Sequence, residues 1–293
     1  MSSNPGERHP STRARLARAM RGLSHVRGWK RAALAIAGTQ GQFRVENDGA
    51  WLEGDLGSYI ERQFYLHGGY ERDEIGLFLS RIPADRRGTI LDIGANVGTH
   101  SLRFAKAFDN VLSFEPNPLV VDRLRRNVAL SEAANVAVHQ VGLSDTAGEL
   151  ELFAPESGNQ GLGTFLTVEQ YDRPLTRIGT APIAIGDEFV AANAPGRIDA
   201  IKCDVQGYEV QVFRGLQQIV QRDRPIIWIE IGSGEHTVAD EIAALLPLLP
   251  RPARYFRMGA NNLGLIGRAG LTEIAEQDIG AGDWVIVPHP GTA

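Results

Sequence analysis

A single cysteine, Cys203, occurs in the 293 residues. One thiol excludes an intramolecular disulfide and a cysteine zinc cluster, and it fits a reducing compartment, so a cytoplasmic protein is expected. Cys203 falls in an apolar run, where an inert buried thiol is expected rather than a nucleophile. No apolar stretch approaches the ~20 residues needed to span a bilayer. Residues 32–37 are too short and too weakly apolar for the hydrophobic part of a secretory signal. Net positive charge is also lacking. The formal charge is −5, which argues against general nucleic-acid binding. No internal repeat is found. The third glycine of a dinucleotide-binding turn is missing too, because Gly94 to Gly98 reads G-x-N-x-G.

The charge that is present is unevenly spread. Residues 1–31 hold Arg8, Arg13, Arg15, Arg18, Arg21, Arg27, Lys30 and Arg31 against one acid, Glu7. Residues 1–38 are therefore expected to be a flexible basic arm. An interfacial helix meeting anionic lipid or a charged partner through residues 8–31 is one alternative, and would make the protein membrane-peripheral. An organellar transit peptide is another.

The chain is organised around residues 89–101, TILDIGANVGTHS. Ile90, Leu91 and Ile93 form the short apolar run of a buried parallel strand, a turn of small residues follows, and Leu102, Ala105 and Phe108 recur at helical spacing. Strand, glycine turn and helix open a doubly wound α/β sheet, and glycines let a ligand approach free N–H groups at the helix start. Asp92, just before the turn, suits a ligand with positive charge and N–H donors, as S-adenosylmethionine has. Residues 111–115 form a second apolar strand ending in Glu115, whose carboxylate can accept both ribose hydroxyls. An NAD(P)-dependent oxidoreductase fails at Asn96 and at the missing glycine.

Residues 39–88 read as a lead-in: a small hairpin, a short helix capped by Ser58, and a helix over 74–81. The cofactor-binding domain is expected over 89–293. Asn117 and Pro118 suit the cap and first position of the helix after Glu115. Val136, Val138 and Val141 make a third strand ending at Gly142-Leu143-Ser144-Asp145, where Asp145 or nearby backbone could read an adenine amino group. Period-two alternation around 149–153, 164–168 and 183–185 indicates an antiparallel insert over 149–186. Residues 198–203 are a fourth core strand ending in Asp204, and 225–231 a fifth containing Glu230. Residues 253–257 and 283–287 are the final strands expected.

Several motifs in order resemble the FkbM family of S-adenosylmethionine-dependent methyltransferases: Gly69-Tyr70-Glu71, DIGANVGTHS from Asp92, FEPNP from Phe114, Gly142 to Asp145, Asn159 with Gly161, and IKCDVQGYE from Ile201. The similarity covers about residues 60–288. It implies a Rossmann-like sheet of seven strands in the order 3-2-1-4-5-7-6, with the last antiparallel. It implies S-adenosylmethionine as cofactor, held by Glu71, Asp92, Gly94, Asn96, Gly98, Glu115, Asn117, Gly142, Leu143 and Asp145. His100 departs from the aromatic expected there. The activity implied is O-methylation of a sugar, glycolipid or glycosylated natural product. A catalytically silent cofactor-fold protein acting through its basic arm is the alternative. N-methylation finds no Asn/Asp-Pro-Pro-Tyr motif in the chain.

A hydroxyl acceptor needs a base. Asp204 is the first candidate, His236 the second, and Lys202 would orient a carboxylate. Asp204 and Glu230 could hold Mg²⁺, but no metal is expected.

Overall fold

The computed structural model describes residues 9–23, 26, 28–155, 163–165, 174–194, 196–232, 238–263 and 266–289. The chain opens with α1 (Thr12–Ala19), α2 (Trp29–Ala37), the hairpin β1 (Gln42–Asn47) and β2 (Ala50–Asp55), α3 (Tyr59–His67) and α4 (Arg72–Leu79). The core follows as β3 (Thr89–Ile93), α5 (Ser101–Phe104), β4 (Asn110–Phe114), α6 (Pro118–Leu130) and β5 (Val136–His139). Next come β6 (Gly142–Ser144), β7 (Gly148–Pro155), β8 (Leu175–Ile185), α7 (Gly186–Asn193), β9 (Ala200–Cys203), α8 (Glu209–Gly215) and α9 (Gln217–Asp223). The chain closes with β10 (Ile226–Ile231), α10 (Val238–Leu245), β11 (Ala253–Leu263), β12 (Ile266–Ile274) and β13 (Gly282–Pro288).

The main sheet has the order β12-β11-β13-β10-β9-β3-β4-β5. Strands β5, β4, β3, β9 and β10 are parallel, while β13 is antiparallel to both β10 and β11. This contains the expected order 3-2-1-4-5-7-6 and corrects its count, since β12 pairs antiparallel with β11 as an eighth strand. Glycines at 259, 264, 267 and 270 dilute the strand pattern in that hairpin, so only its first residues were legible. The third strand is also corrected. It divides into β5 in the main sheet and β6, which pairs parallel with β8 in a second sheet of order β6-β8-β7. The insert's antiparallel pairing of β7 with β8 agrees with its period-two pattern. Of the middle stretch, Thr164 bridges to Phe153, and residues 166–168 lie outside the described residues.

The parallel strands are apolar throughout because both faces of the sheet are covered. Ile90, Val111, Ala200, Ile226 and Trp228 face Ile75 and Phe78 of α4 and Phe104 of α5. Leu91, Leu112, Ile201, Ile227 and Ile229 face Val212 and Phe213 of α8 and Ile219 of α9. A third cluster joins the N-terminal elements: Ala14, Ala17, Ala33 and Ala37 pack with Phe43, Leu52, Phe64, Val97 and Val120. Residues 12–37, expected to be a flexible arm, thus include two helices whose alanine faces rest in the core of the lead-in. Arg18 donates to the Tyr65 carbonyl at 2.5 Å, and Arg18 and Arg21 both reach Asn47 Oδ1. Ser58 caps α3 and Asn117 caps α6, as read from the sequence.

At the end of α8 a Cβ on Gly215 would lie 1.8 Å from the Ser144 carbonyl oxygen of β6. Alanine ordinarily stabilises a helix by about 1 kcal/mol over glycine. Here Gly215→Ala is expected to destabilise by about 2 kcal/mol or more, because α8 and β6 must separate. A urea midpoint equal to or above wild type, at unchanged slope, would contradict this packing.

Candidate active site

The turn after β3 brings backbone close to backbone. Gly94 has φ +82°, and a Cβ there would sit 1.9 Å from the Asp204 carbonyl oxygen, so only glycine lets the ends of β3 and β9 meet. The Gly94 and Ala95 N–H groups both donate to the Phe114 carbonyl at 3.0 Å. Asn96 is left-handed at φ 50°, which aims its N–H at Glu115 Oε2, 2.8 Å away. Glu115 Oε1 accepts from the Asn117 N–H, also at 2.8 Å. Burial pushes the Glu115 carboxyl up to about 7, against the lowering effect of these two backbone donors.

Strand register then sets two rows of polar side chains on one face of the sheet. Ser113, Asp92, Lys202 and Trp228 are successive cross-strand partners on β4, β3, β9 and β10. Two residues further along lie Asp204 and Glu230, and Glu230 is the register partner of Asp283 on β13. Lys202 is 2% exposed. Burial would lower its pKa, but Asp204, Asp92 and Glu71 outweigh this and raise it, so the ammonium stays charged. Its Nζ is 3.2 Å from Asp204 Oδ2, and Gln206 Nε2 donates to Asp204 Oδ1 at 2.8 Å. Asp204 is therefore held below the usual carboxylate range: burial alone would raise it, but Lys202 and the Gln206 hydrogen bond prevail. Glu230 is hydrogen-bonded to Asp204, and burial followed by that negative neighbour lifts it to about 8. Asp283 is lifted to about 6, chiefly by burial, despite accepting from Trp228 Nε1 at 3.0 Å. Asp204 and Glu230 titrate as a pair, and the pair retains a proton near neutrality.

A cavity of about 240 Å³ opens at the carboxyl ends of these strands. Lys202, Asp204, Glu230, Tyr70, His100 and Thr99 line the end beside β9 and β10. Asn96 and Glu115 line the middle, and Val141, Gly142, Leu143, Leu152 and Phe165 the end beyond β4. Such cavities at the carboxyl ends of an open α/β sheet bind ligands.

The expected residues divide into three groups. Gly94, Asn96, Glu115, Gly142, Leu143, Lys202, Asp204 and Glu230 meet in the cavity wall. Others stand behind it. Asp92 is fully buried, accepts from Ser101 Oγ at 2.5 Å, and leaves Oδ1 without a hydrogen-bond partner. Asn117 is outside the lining and donates its N–H to Glu115, which is in it. Gly98, at φ +92°, makes room for Leu124, which a Cβ would approach to 2.6 Å. Glu71, left-handed at φ 48°, binds His100 Nε2 at 3.1 Å. Asp145 is exposed, outside the lining, and takes a hydrogen bond from Ser144. Third, His236, Asn159 and Gly161 lie outside the described residues.

Tyr70, His100, Gln206, Phe165 and Asp283 were missed as site residues. His100 had a signal, its departure from an aromatic. In the structure it still fills an aromatic's place, edge-on to Trp228 at 5.2 Å and to Tyr70 at 5.9 Å, and adds the bond to Glu71. Among the described residues no group of three or more His, Cys, Asp or Glu is arranged to hold a metal ion. Among them, too, no helix is long and apolar enough to cross a membrane.

An α/β sheet with a glycine turn, an acid after its second strand and a charged cavity edge defines a ligand-binding Rossmann-like protein. Residues 92–258, more than half the chain, match the methyltransferase FkbM domain, and the chain belongs to that family. It is 29% identical over 165 residues to the hexuronic acid methyltransferase AglP of Haloferax volcanii, covering 56% of this chain and 63% of AglP. It is 32% identical over 156 residues to methyltransferase sdnD of Sordaria araneosa, covering 44% and 60%. The chain thus spans about three-fifths of the length of these curated relatives. Among solved structures, methyltransferase FkbM from Methylobacillus flagellatus aligns with a TM-score of 0.41 at 14% identity, covering 78% of this chain and 53% of that one. The Pyrococcus abyssi tRNA (uracil-54, C5)-methyltransferase, in complex with S-adenosyl-L-homocysteine, aligns with a TM-score of 0.42 at 13% identity, covering 84% and 43%.

Removing the buried ammonium strands three acids. Lys202→Met is expected to cost about 3 kcal/mol or more at pH 7. In the variant the freed carboxyls have raised folded pKa values, so the deficit should shrink as pH falls toward 5 and protons neutralise them. Chemical denaturation at pH 5, 7 and 8 tests this; a deficit independent of pH would remove the charge explanation.

Proposed function

We propose that this chain transfers a methyl group from S-adenosylmethionine to a hydroxyl of a saccharide, glycolipid or glycosylated natural product. The observation that carries this reading is the Asp204–Glu230 pair, two hydrogen-bonded carboxyls at the charged end of the cavity. The naming of AglP for hexuronic acid supports a saccharide acceptor.

The lining suits the cofactor's three parts. Val141, Leu143, Leu152 and Phe165 offer an apolar slot for adenine. Glu115, pinned by the Asn96 and Asn117 N–H groups, presents its carboxylate where ribose hydroxyls would donate. The acids around Lys202 favour an ammonium and a sulfonium, and the Asp92 oxygen left without a partner reinforces that field from beneath. When bound, S-adenosylmethionine supplies a methyl already activated by its sulfonium. The chain's own residues have two remaining tasks: to hold the acceptor oxygen in line near 3 Å, and to take its proton. The doubly ionised Asp204–Glu230 pair is the base. Lys202 and Gln206 fix Asp204, so the proton is accepted at Glu230 as its pKa near 8 is restored. Mg²⁺ between these two carboxylates would instead lower the acceptor's pKa; activity in the presence of a chelator separates the two routes.

Glu115→Ala and Asp92→Ala are each expected to weaken S-adenosylhomocysteine about 10- to 100-fold, the first by loss of a charge-assisted contact and the second by loss of the negative field beneath the ammonium. Calorimetry with NAD as control checks this, and unchanged affinity in folded variants would refute the cofactor map. The turnover of wild type should rise with pH through a midpoint near 8, where the Glu230 proton is lost. Glu230→Gln should flatten that limb and lower turnover about 10²- to 10⁴-fold. A variant that keeps the limb would exclude Glu230 as the proton acceptor.

A further inference from the structure

The two N-terminal helices are half-used. Within α1, Ala14 and Ala17 are buried, and Arg18 turns inward to Tyr65 and Asn47. The opposite side carries Leu16, 59% exposed, and continues through Met20 and Leu23, each 40% exposed. At 100° per residue, Leu16, Ala19 and Met20 share one stripe, with Arg13 on one flank and Arg15 on the other. Both arginines are exposed. Val26 and, on α2, Ile36 add further exposed apolar side chains, and Arg31 of α2 is exposed beside them in sequence. Among the described residues, five of the eight exposed large hydrophobic ones thus fall between positions 16 and 36. The sequence holds no Asp or Glu between Glu7 and Glu46.

A solvated helix face would not expose leucine and methionine in a stripe, and a plain anionic partner would need only the arginines. Apolar side chains at the centre, arginines at the margins and no acid within the segment's own sequence match an anionic bilayer surface, where apolar groups enter the acyl boundary and guanidinium groups meet lipid phosphates. Burial of small alanines on the inward side holds the helices on the protein and leaves the larger apolar side chains outward. Both helices pack on α3, and Ile60 in the first turn of α3 lines the cavity.

We infer that the outer face of α1, with the exposed side chains of Met20, Leu23 and Val26, docks this protein on an anionic lipid surface. The cavity would then work one helix away from the bilayer, convenient for an acceptor anchored in it. The docking does not depend on the methyl-transfer reading.

The test is flotation of the full chain with vesicles of phosphatidylcholine alone and of phosphatidylcholine with one quarter phosphatidylglycerol, in 0.1 M and 0.5 M salt. At low salt the anionic vesicles should bind at least about tenfold more tightly than the neutral ones, with the difference reduced at high salt. The triple variant Leu16→Ser, Met20→Ser, Leu23→Ser and the double variant Arg13→Glu, Arg15→Glu should each weaken binding about tenfold or more. Their circular dichroism and S-adenosylhomocysteine affinity should match wild type. No binding to either vesicle overturns the inference. So does binding that only the arginine variant weakens, which would make it electrostatic attraction without insertion. Self-association abolished by the serine variant, with no vesicle binding, would assign the face to a second copy of the chain and overturn it as well.

Discussion

An ammonium enclosed at the centre of a parallel sheet must be neutralised where it stands, and Lys202 imposes that requirement on everything near it. Moving such a charge out of water costs several kcal/mol unless acids surround it. Asp92 supplies one from the neighbouring strand, in direct register, and Asp204 another from two residues along the same strand. Asp92 in turn is tied to α5 through Ser101, which Ser113 of β4 also reaches at 2.8 Å. The glycine turn, α5 and three strands are thereby linked through one charge. The close approach of Gly94 to the Asp204 carbonyl is the backbone side of the same arrangement. Shape and electrostatics at the sheet edge cannot be altered separately.

Negative charge exceeds positive charge at this edge. Glu71, Asp204, Glu230 and Asp283 gather around Lys202 and His100, and the surplus is met by keeping a proton on the cluster. A buried carboxyl that holds its proton to about pH 8 is a reservoir within hydrogen-bond reach of an already ionised one. Three of the six left-handed non-glycine residues among the described residues lie here. Glu71, Asn96 and Gln206 are all left-handed, with φ of 48°, 50° and 56°. Each such residue costs roughly 1–2 kcal/mol, and each is offset by one bond into the site: Glu71 to His100, the Asn96 N–H to Glu115, and Gln206 to Asp204.

Much of the protein was legible because its signals are local. The apolar run before Gly94, the small turn and the helical spacing after it specify strand, turn and helix within a few residues. Ser58 and Asn117 could be read as caps because a cap acts on N–H groups two or three positions away. Alternation in residues 149–153 and 183–185 showed a half-buried hairpin for the same reason. The acids at strand ends, Asp204 and Glu230, were visible because a parallel sheet puts every such end on one edge.

What only the tertiary structure decided are the relations across long stretches of chain. His100 meets Glu71 across 29 positions, and Trp228 meets Asp283 across 55. No periodicity encodes either pairing, since each depends on which strands become neighbours. Register, too, was beyond the sequence: Glu230 opposite Asp283, and Lys202 between Asp92 and Trp228, turn separate residues into two rows. The glycine-rich hairpin of β11 and β12 and the docking of α1 and α2 through small alanines carry weak local signals. Glycine and alanine contribute little side-chain area to a pattern, and their use is apparent only once another surface closes on them.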